Sequence, residues 1–305
     1  MRTITKYRFT LAIVLFITSL NITYACLNGE TMVLKNGMLL YEDAQTNVPY
    51  GHDFYSYDLD IENIRELDSL YRATNDLDYL SDKGVILIIF NKYKEAIDLY
   101  LEIEKMQPGR YATASNIGTA YELMGDNENA LKWIKRAVEI DSTSHYNSEW
   151  IHVKILEAKI KGETYITTQH LLNADFGDDE FPTSELTKKE LGVLSLALYY
   201  QLNERISFIK SNDKIVAQLL FDLGNIAYLS GHYEDALEDY RLAEKYGYNG
   251  KLIEQRIALV QDPLRRGPAD ADHSPKQNKL FVLIGSAGLL LAVLFVGVYI
   301  HKRNS

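Results

Sequence analysis

From residue 60 to residue 261 the apolar positions return every three or four residues, the spacing of helices with one buried face. Residues 31–43 (TMVLKNGMLLYED) break that rhythm: two short apolar runs flank Asn36-Gly37, a strong two-residue hairpin signal. Asp60 then stands where a helix cap is wanted, ahead of Ile61, Ile64, Leu67 and Leu70. Two stretches are predominantly apolar and carry no charge, residues 11–20 and residues 280–300. The ten residues of the first are too few to span a bilayer; the 21 of the second match the roughly 20 a spanning helix needs.

The helical region repeats itself at a spacing of 34 residues. Gly84 recurs as Gly118, Ala96 as Ala130, Tyr100 as Ile134, and Ile103 as Ala137. A further copy carries Gly224, Gly231, Ala236, Tyr240 and Ala243. Such a period predicts a solenoid of stacked helix pairs. The small residues let paired helices approach, the larger residue four positions later fills the gap to the next unit, Gly125 and Gly231 occupy turns that need a left-handed residue, and Pro108 ends a unit. Ala130 and Ala236 are separated by 106 residues, room for two degenerate units and a four-residue insertion. Helices are expected over 145–161, 164–173, 186–204 and 214–230, with 175–182 a loop and 251–261 a closing helix.

Residues 111–144 (YATASNIGTAYELMGDNENALKWIKRAVEIDSTS) carry Ile117-Gly118, Tyr121, Gly125, Ala130 and Ala137, and in this they resemble a tetratricopeptide repeat. Residues 77–110 and 217–250 resemble it less fully, with Leu87 and Ala227 where the family has tyrosine. The resemblance implies an all-α solenoid of about five helix pairs, and a non-enzymatic scaffold that binds a protein or an extended peptide. It also implies a groove lined by the first helices. That assigns partner contacts to Ser115, Thr119 and Glu122 in the best copy and to Phe221, Asn225 and Tyr228 in the last, with Ser81, Val85 and Ile88 in the first. The Lys, Arg and Asn clamp of chaperone-binding members is missing apart from Asn225.

Charge sharpens the division of the chain. The whole carries −10, yet all 42 acidic residues lie between Cys26 and Lys279, and five basic residues lie outside: Arg2, Lys6, Arg8, Lys302 and Arg303. The middle therefore stands at −15, a poor match for nucleic acid, whose phosphates call for clustered Lys and Arg. Basic residues before residues 11–20 and a Thr23-Tyr24-Ala25 cut site read as a signal peptide over 1–25. The expected organisation is this signal, a non-repeat segment with the hairpin over 26–59, the array over 60–261, a proline-containing tether over 262–279, one transmembrane helix over 280–300 and a cytoplasmic tail over 301–305. This is a type I topology with the array outside the cytoplasm, placed at a bacterial inner membrane facing the periplasm. Cys26, first after the cut, is a lipidation candidate in an alternative reading as an envelope lipoprotein.

Chemistry is sparse. The lone cysteine excludes an internal disulfide. No phosphate loop, HExxH or nucleophile elbow is present. His52, Asp53 and Asp58 are the residues on which an enzymatic reading would rest. The acidic run Asp175, Asp178, Asp179 and Glu180 lacks calcium-loop spacing. Trp133 and Trp150 are expected in the core. No cofactor or metal site is expected.

Overall fold

The computed structural model describes residues 31–43, 46–55, 59–210, 212–262 and 264–265. The expected signal peptide, Cys26, Asp58, nearly all of the tether, the span over 280–300 and the tail lie outside the described residues. Among the described residues no helix is long and apolar enough to cross a membrane.

The hairpin forms as expected. β1 (Thr31–Val33) pairs antiparallel with β2 (Leu39–Glu42), Met32 opposite Tyr41, and Gly37 takes a positive φ of 89° in the turn. α1 (Ile61–Thr74) starts at Asp60, whose carboxylate accepts from the amides of Glu62 and Asn63 while the Asn63 side chain closes a capping box. Its buried residues are Ile64 and Leu67; Ile61 faces solvent.

Three regular helix pairs follow the 34-residue copies: α2 (Leu77–Ile89) with α3 (Tyr93–Met106), α4 (Tyr111–Leu123) with α5 (Asn127–Ile140), and α9 (Lys214–Leu229) with α10 (Tyr233–Lys245). The reason is visible at three equivalent glycines. A Cβ on Gly118 would lie 2.5 Å from Ile134 Cδ1, and one on Gly224 would lie 2.6 Å from the ring of Tyr240; Gly84 stands in the same relation to Tyr100. The larger residue therefore fills its own pair first. Tyr100 also reaches the next pair, because Asn116 Nδ2 donates to its hydroxyl at 3.0 Å. Gly125 and Gly231 turn between paired helices at φ 84° and 80°; Asn91, at φ 58°, does this in the first pair. Gly109, at φ 80°, reverses the chain after Pro108.

The middle departs from the expected two degenerate pairs. α6 (Glu149–Lys161) begins later than expected, because His145, Tyr146 and Asn147 form a left-handed turn at φ 52°, 57° and 58°. Its partner is reduced to a 3₁₀ turn (Glu163–Tyr165) and the five-residue α7 (Thr168–Leu172), which the left-handed Asn173 terminates. The β-branched run Ile166-Thr167-Thr168 disfavours a longer helix. A single 21-residue helix, α8 (Lys188–Phe208), opens with a Thr187–Glu190 capping box and stands where the second degenerate pair was expected. α11 (Lys251–Gln261) closes the array. Among the described residues the count is thus three regular pairs rather than about five.

Two main apolar cores result. One joins the hairpin, α1, α2, α3 and α4; the other joins α6 through α11. Trp133 is half-buried against the first core, whereas Trp150 is 36% exposed and not the core residue expected of it.

Candidate functional site: the inner face of the array

The first helices of the regular pairs do not face open solvent. The hairpin seals α2: the Lys35 amide donates to Asp82 Oδ2 at 2.5 Å, and Ser81, Val85 and Ile88 are buried. The C-terminal end of α8 reaches α4 through Arg205 and Glu122, and the extended segment 46–55 lies against that end of α8. Phe208 packs on the first core and against Phe54, ring centroids 5.6 Å apart.

That segment is a strap. Asn203 Oδ1 accepts from the Gly51 amide at 2.8 Å, and Ser207 Oγ accepts from the His52 amide at 2.6 Å. At the far end Asn47 Nδ2 donates to Asp235 on α10 at 2.9 Å. Gly51 suits its position for two reasons: φ is +83°, and a Cβ would meet the Ser207 nitrogen at 2.8 Å. The ring of His52 stacks on Tyr41 at 3.9 Å and donates from Nδ1 to Asp43 Oδ2 at 2.7 Å. His52 is therefore a buried structural residue held by Asp43 and Asn203, and Asp53 next to it is exposed. Of the enzymatic trio, His52 is thus buried and Asp53 exposed, and Asp58 lies outside the described residues. Asp175, Asp178, Asp179 and Glu180 do not form a metal cluster: no such group occurs among the described residues. Asp175 caps Gly177, and Glu180 pairs with Arg265.

Five of the six expected contact residues are consequently buried, and Glu122 is partly buried. Ser115, Thr119, Phe221, Asn225 and Tyr228 are each at most 9% exposed. Phe221 stacks on Tyr248 at 4.2 Å, Asn225 Oδ1 accepts from the Tyr240 hydroxyl at 2.8 Å, and Tyr228 sits edge-on to Tyr233. Thr119 and Glu122 line a cavity of about 190 Å³, shared with His152, Lys159, Arg205 and Phe208. The expectation of an open groove is corrected: the chain's own strap and α8 cover that face.

Glu122 is the centre of a buried ion network. Arg205 Nη1 and Nη2 donate to its two oxygens at 2.7 and 3.1 Å, Lys159 donates at 2.7 Å, and His152 Nε2 donates at 2.6 Å. Behind His152 lies Glu149, which accepts from His145 at 2.6 Å and from the Tyr111 hydroxyl at 2.9 Å. This chain of charges reaches the left-handed turn and secures His145 within it, against the cost of about 1–2 kcal/mol per left-handed residue. Burial alone would raise the Glu122 carboxyl. Arg205, His152 and Lys159 outweigh it and hold the group well below the usual carboxylate range. For Glu149 burial also pushes upward, and His145 and His152 reverse it. His152 is drawn upward by Glu122 and Glu149 against its own burial.

Arg205, His152 and Lys159 were not singled out in the sequence. His152 and Lys159 share a face of α6 at near-helical spacing, but nothing local links them to Glu122, and Arg205 lies 83 residues from it.

Three regular helix pairs and a strap held on α8 and α10 define a solenoid-like helical array among the described residues. Residues 113–144 match the family model described as the tetratricopeptide repeat, so the helix pair α4–α5 is one such repeat. No curated protein matches this chain. Among solved structures it is similar to a chain in the crystal structure of the APC/C hetero-tetramer Cut9-Hcn1. The two are 19% identical with a TM-score of 0.29, over 68% of this chain and 43% of that one, so this chain spans under half of that chain's length.

Proposed function

We propose that this protein is a non-enzymatic scaffold, tethered by residues 280–300 at the outer face of a bacterial inner membrane, that holds a protein or an extended peptide beside that membrane. The tetratricopeptide repeat supports the interaction role. The observation that carries the reading is a largely apolar opening of about 760 Å³ between α6 and α8, whose lining joins Trp150, Leu172, Val193, Leu194 and Ala197 with polar residues that include Lys189 and Glu190. Trp150 and Val193 are 36% and 56% exposed there. Apolar rings and branched side chains left in water around a concavity suit an apolar anchor of a partner chain. Tethering would raise the partner's local concentration.

A photo-crosslinking residue placed at Val193 in the full chain should capture one protein reproducibly from intact cells, and the same residue at Arg136 on the exposed face of α5 should not. Equal labelling at both sites, or none at Val193, sinks the binding reading. Fractionation with protease protection addresses the tether separately: recovery of the array in the cytosol contradicts it.

A further inference from the structure

A second cavity, of about 380 Å³, lies between α8, α9, α10 and the strap. Its lining includes Asp235, Asp239, His232, Tyr199 and Tyr200, and no Lys or Arg. Asp239 is 1% exposed, and neither of its carboxyl oxygens has a hydrogen-bond partner among the described residues. This sets it apart from the other buried carboxylates. Asp222 accepts from Thr168 and Gln218, Asp82 accepts from the Lys35 amide, and Glu122 and Glu149 are held by cations. A buried carboxyl with both oxygens orphaned is costly and calls for a counter-group. Burial, with Asp235 and Glu238 close by on the same helix, pushes the Asp239 carboxyl well above its ordinary range.

We infer that this cavity binds an organic cation, an alkylammonium or guanidinium group. Asp239 in its lining becomes the counter-ion, its carboxyl releasing to solvent the proton that burial favours as the cation enters; Asp235 is the second carboxylate, and Tyr199 and Tyr200 are the aromatic wall. The two tyrosine rings meet edge to face, centroids 5.7 Å apart, Tyr200 has one face stacked on Tyr146 at 4.4 Å, and ring faces turned to a cavity attract cations. A metal ion suits the site less well, because Asp235, Asp239 and His232 do not come together as a metal-binding group among the described residues. The inference stands on the cavity and is independent of the scaffold reading.

The test is calorimetric titration of the full chain in detergent with putrescine and with acetyl-lysine methylamide, using acetyl-norleucine methylamide as the neutral control. At least one cation should bind one-to-one, and the neutral amide should not. Asp239→Asn should weaken binding tenfold or more, and Asp98→Asn on the exposed face of α3 should leave it unchanged. Tighter binding of the lysine amide assigns the site to a side chain of another protein, and tighter binding of putrescine assigns it to a free amine; both support the cation site. If Asp239→Asn does not fold, Asp235→Asn replaces it, with a several-fold loss expected. Absence of saturable binding of either cation, or unchanged affinity in the folded variant, overturns the inference.

Discussion

Arg205 grips Glu122 with two guanidinium nitrogens across 83 residues of chain, at 2.7 and 3.1 Å, and both side chains are 7% exposed. The pair joins the well-formed repeat of α4 to the irregular middle of the array. Removing one partner of a buried pair leaves the other uncompensated, at a cost of about 3–5 kcal/mol. His152 and Lys159 remain beside Glu122, so Arg205→Met should fall near the lower end, about 3 kcal/mol by urea denaturation. Lys159→Met, at a side chain 22% exposed, should cost about 1 kcal/mol. Equal losses would show that the bidentate pair has no special weight.

The same network sets a pH dependence. Glu122 and Glu149 have folded values depressed below the ordinary 4.5, so their contribution is present above that value and is lost as pH falls through the folded values. His152 is raised above 6.5, so its contribution is complete below 6.5 and is lost as pH rises through its folded value. Asp82 and Asp222 are each pushed up from 3.8 to about 7 by burial, which removes stability between those two values. Thermal unfolding should therefore occur at a higher temperature at pH 5 than at pH 8, and Asp222→Asn should narrow the gap. A higher Tm at pH 8 contradicts the assignment.

Gly118→Ala should destabilise by about 1–3 kcal/mol, the usual cost of overpacking, because the new methyl would meet Ile134 at 2.5 Å. Gly118→Ala combined with Ile134→Val should recover part of that loss. Chemical denaturation of the single and double variants measures the coupling.

Gly51→Ala should release the strap, since the added carbon meets backbone of Ser207 and Ile206 and the glycine sits at φ +83°. The expected readout is faster amide exchange at Gly51 and His52, whose amides are held by Asn203 and Ser207, with α4 and α5 unaffected. Unchanged exchange would show that the strap is fixed by the Asn47 and Phe54 contacts alone.

The regular pairs were legible because their determinants are local. Gly118 and Ile134 lie 16 residues apart, Gly125 and Gly231 sit inside the turns they make, and Asp60 caps the helix it precedes. The hairpin was legible for the same reason, through Asn36-Gly37. What was not legible is the covering of the inner face. Segment 46–55 has no helical or strand period, and its attachments to Asn203, Ser207 and Asp235 span 152 to 188 residues. Without them Glu122 and Tyr228 read as surface positions, and His52 reads as a half-formed site lacking its partner. Asp43 was that partner, hidden in the run that closes the hairpin.

Stacked-repeat molecules ordinarily behave as springs, because each unit touches only its neighbours and the ends can separate. The bond from Asn47 to Asp235 and the anchorage of Gly51 and His52 on α8 tie the chain's opening segment to its later helices. Load applied to the two termini would be borne first by this tie rather than spread along the stack. Stretching should thus show one initial rupture before the helix pairs yield, a mechanical fuse instead of gradual lengthening.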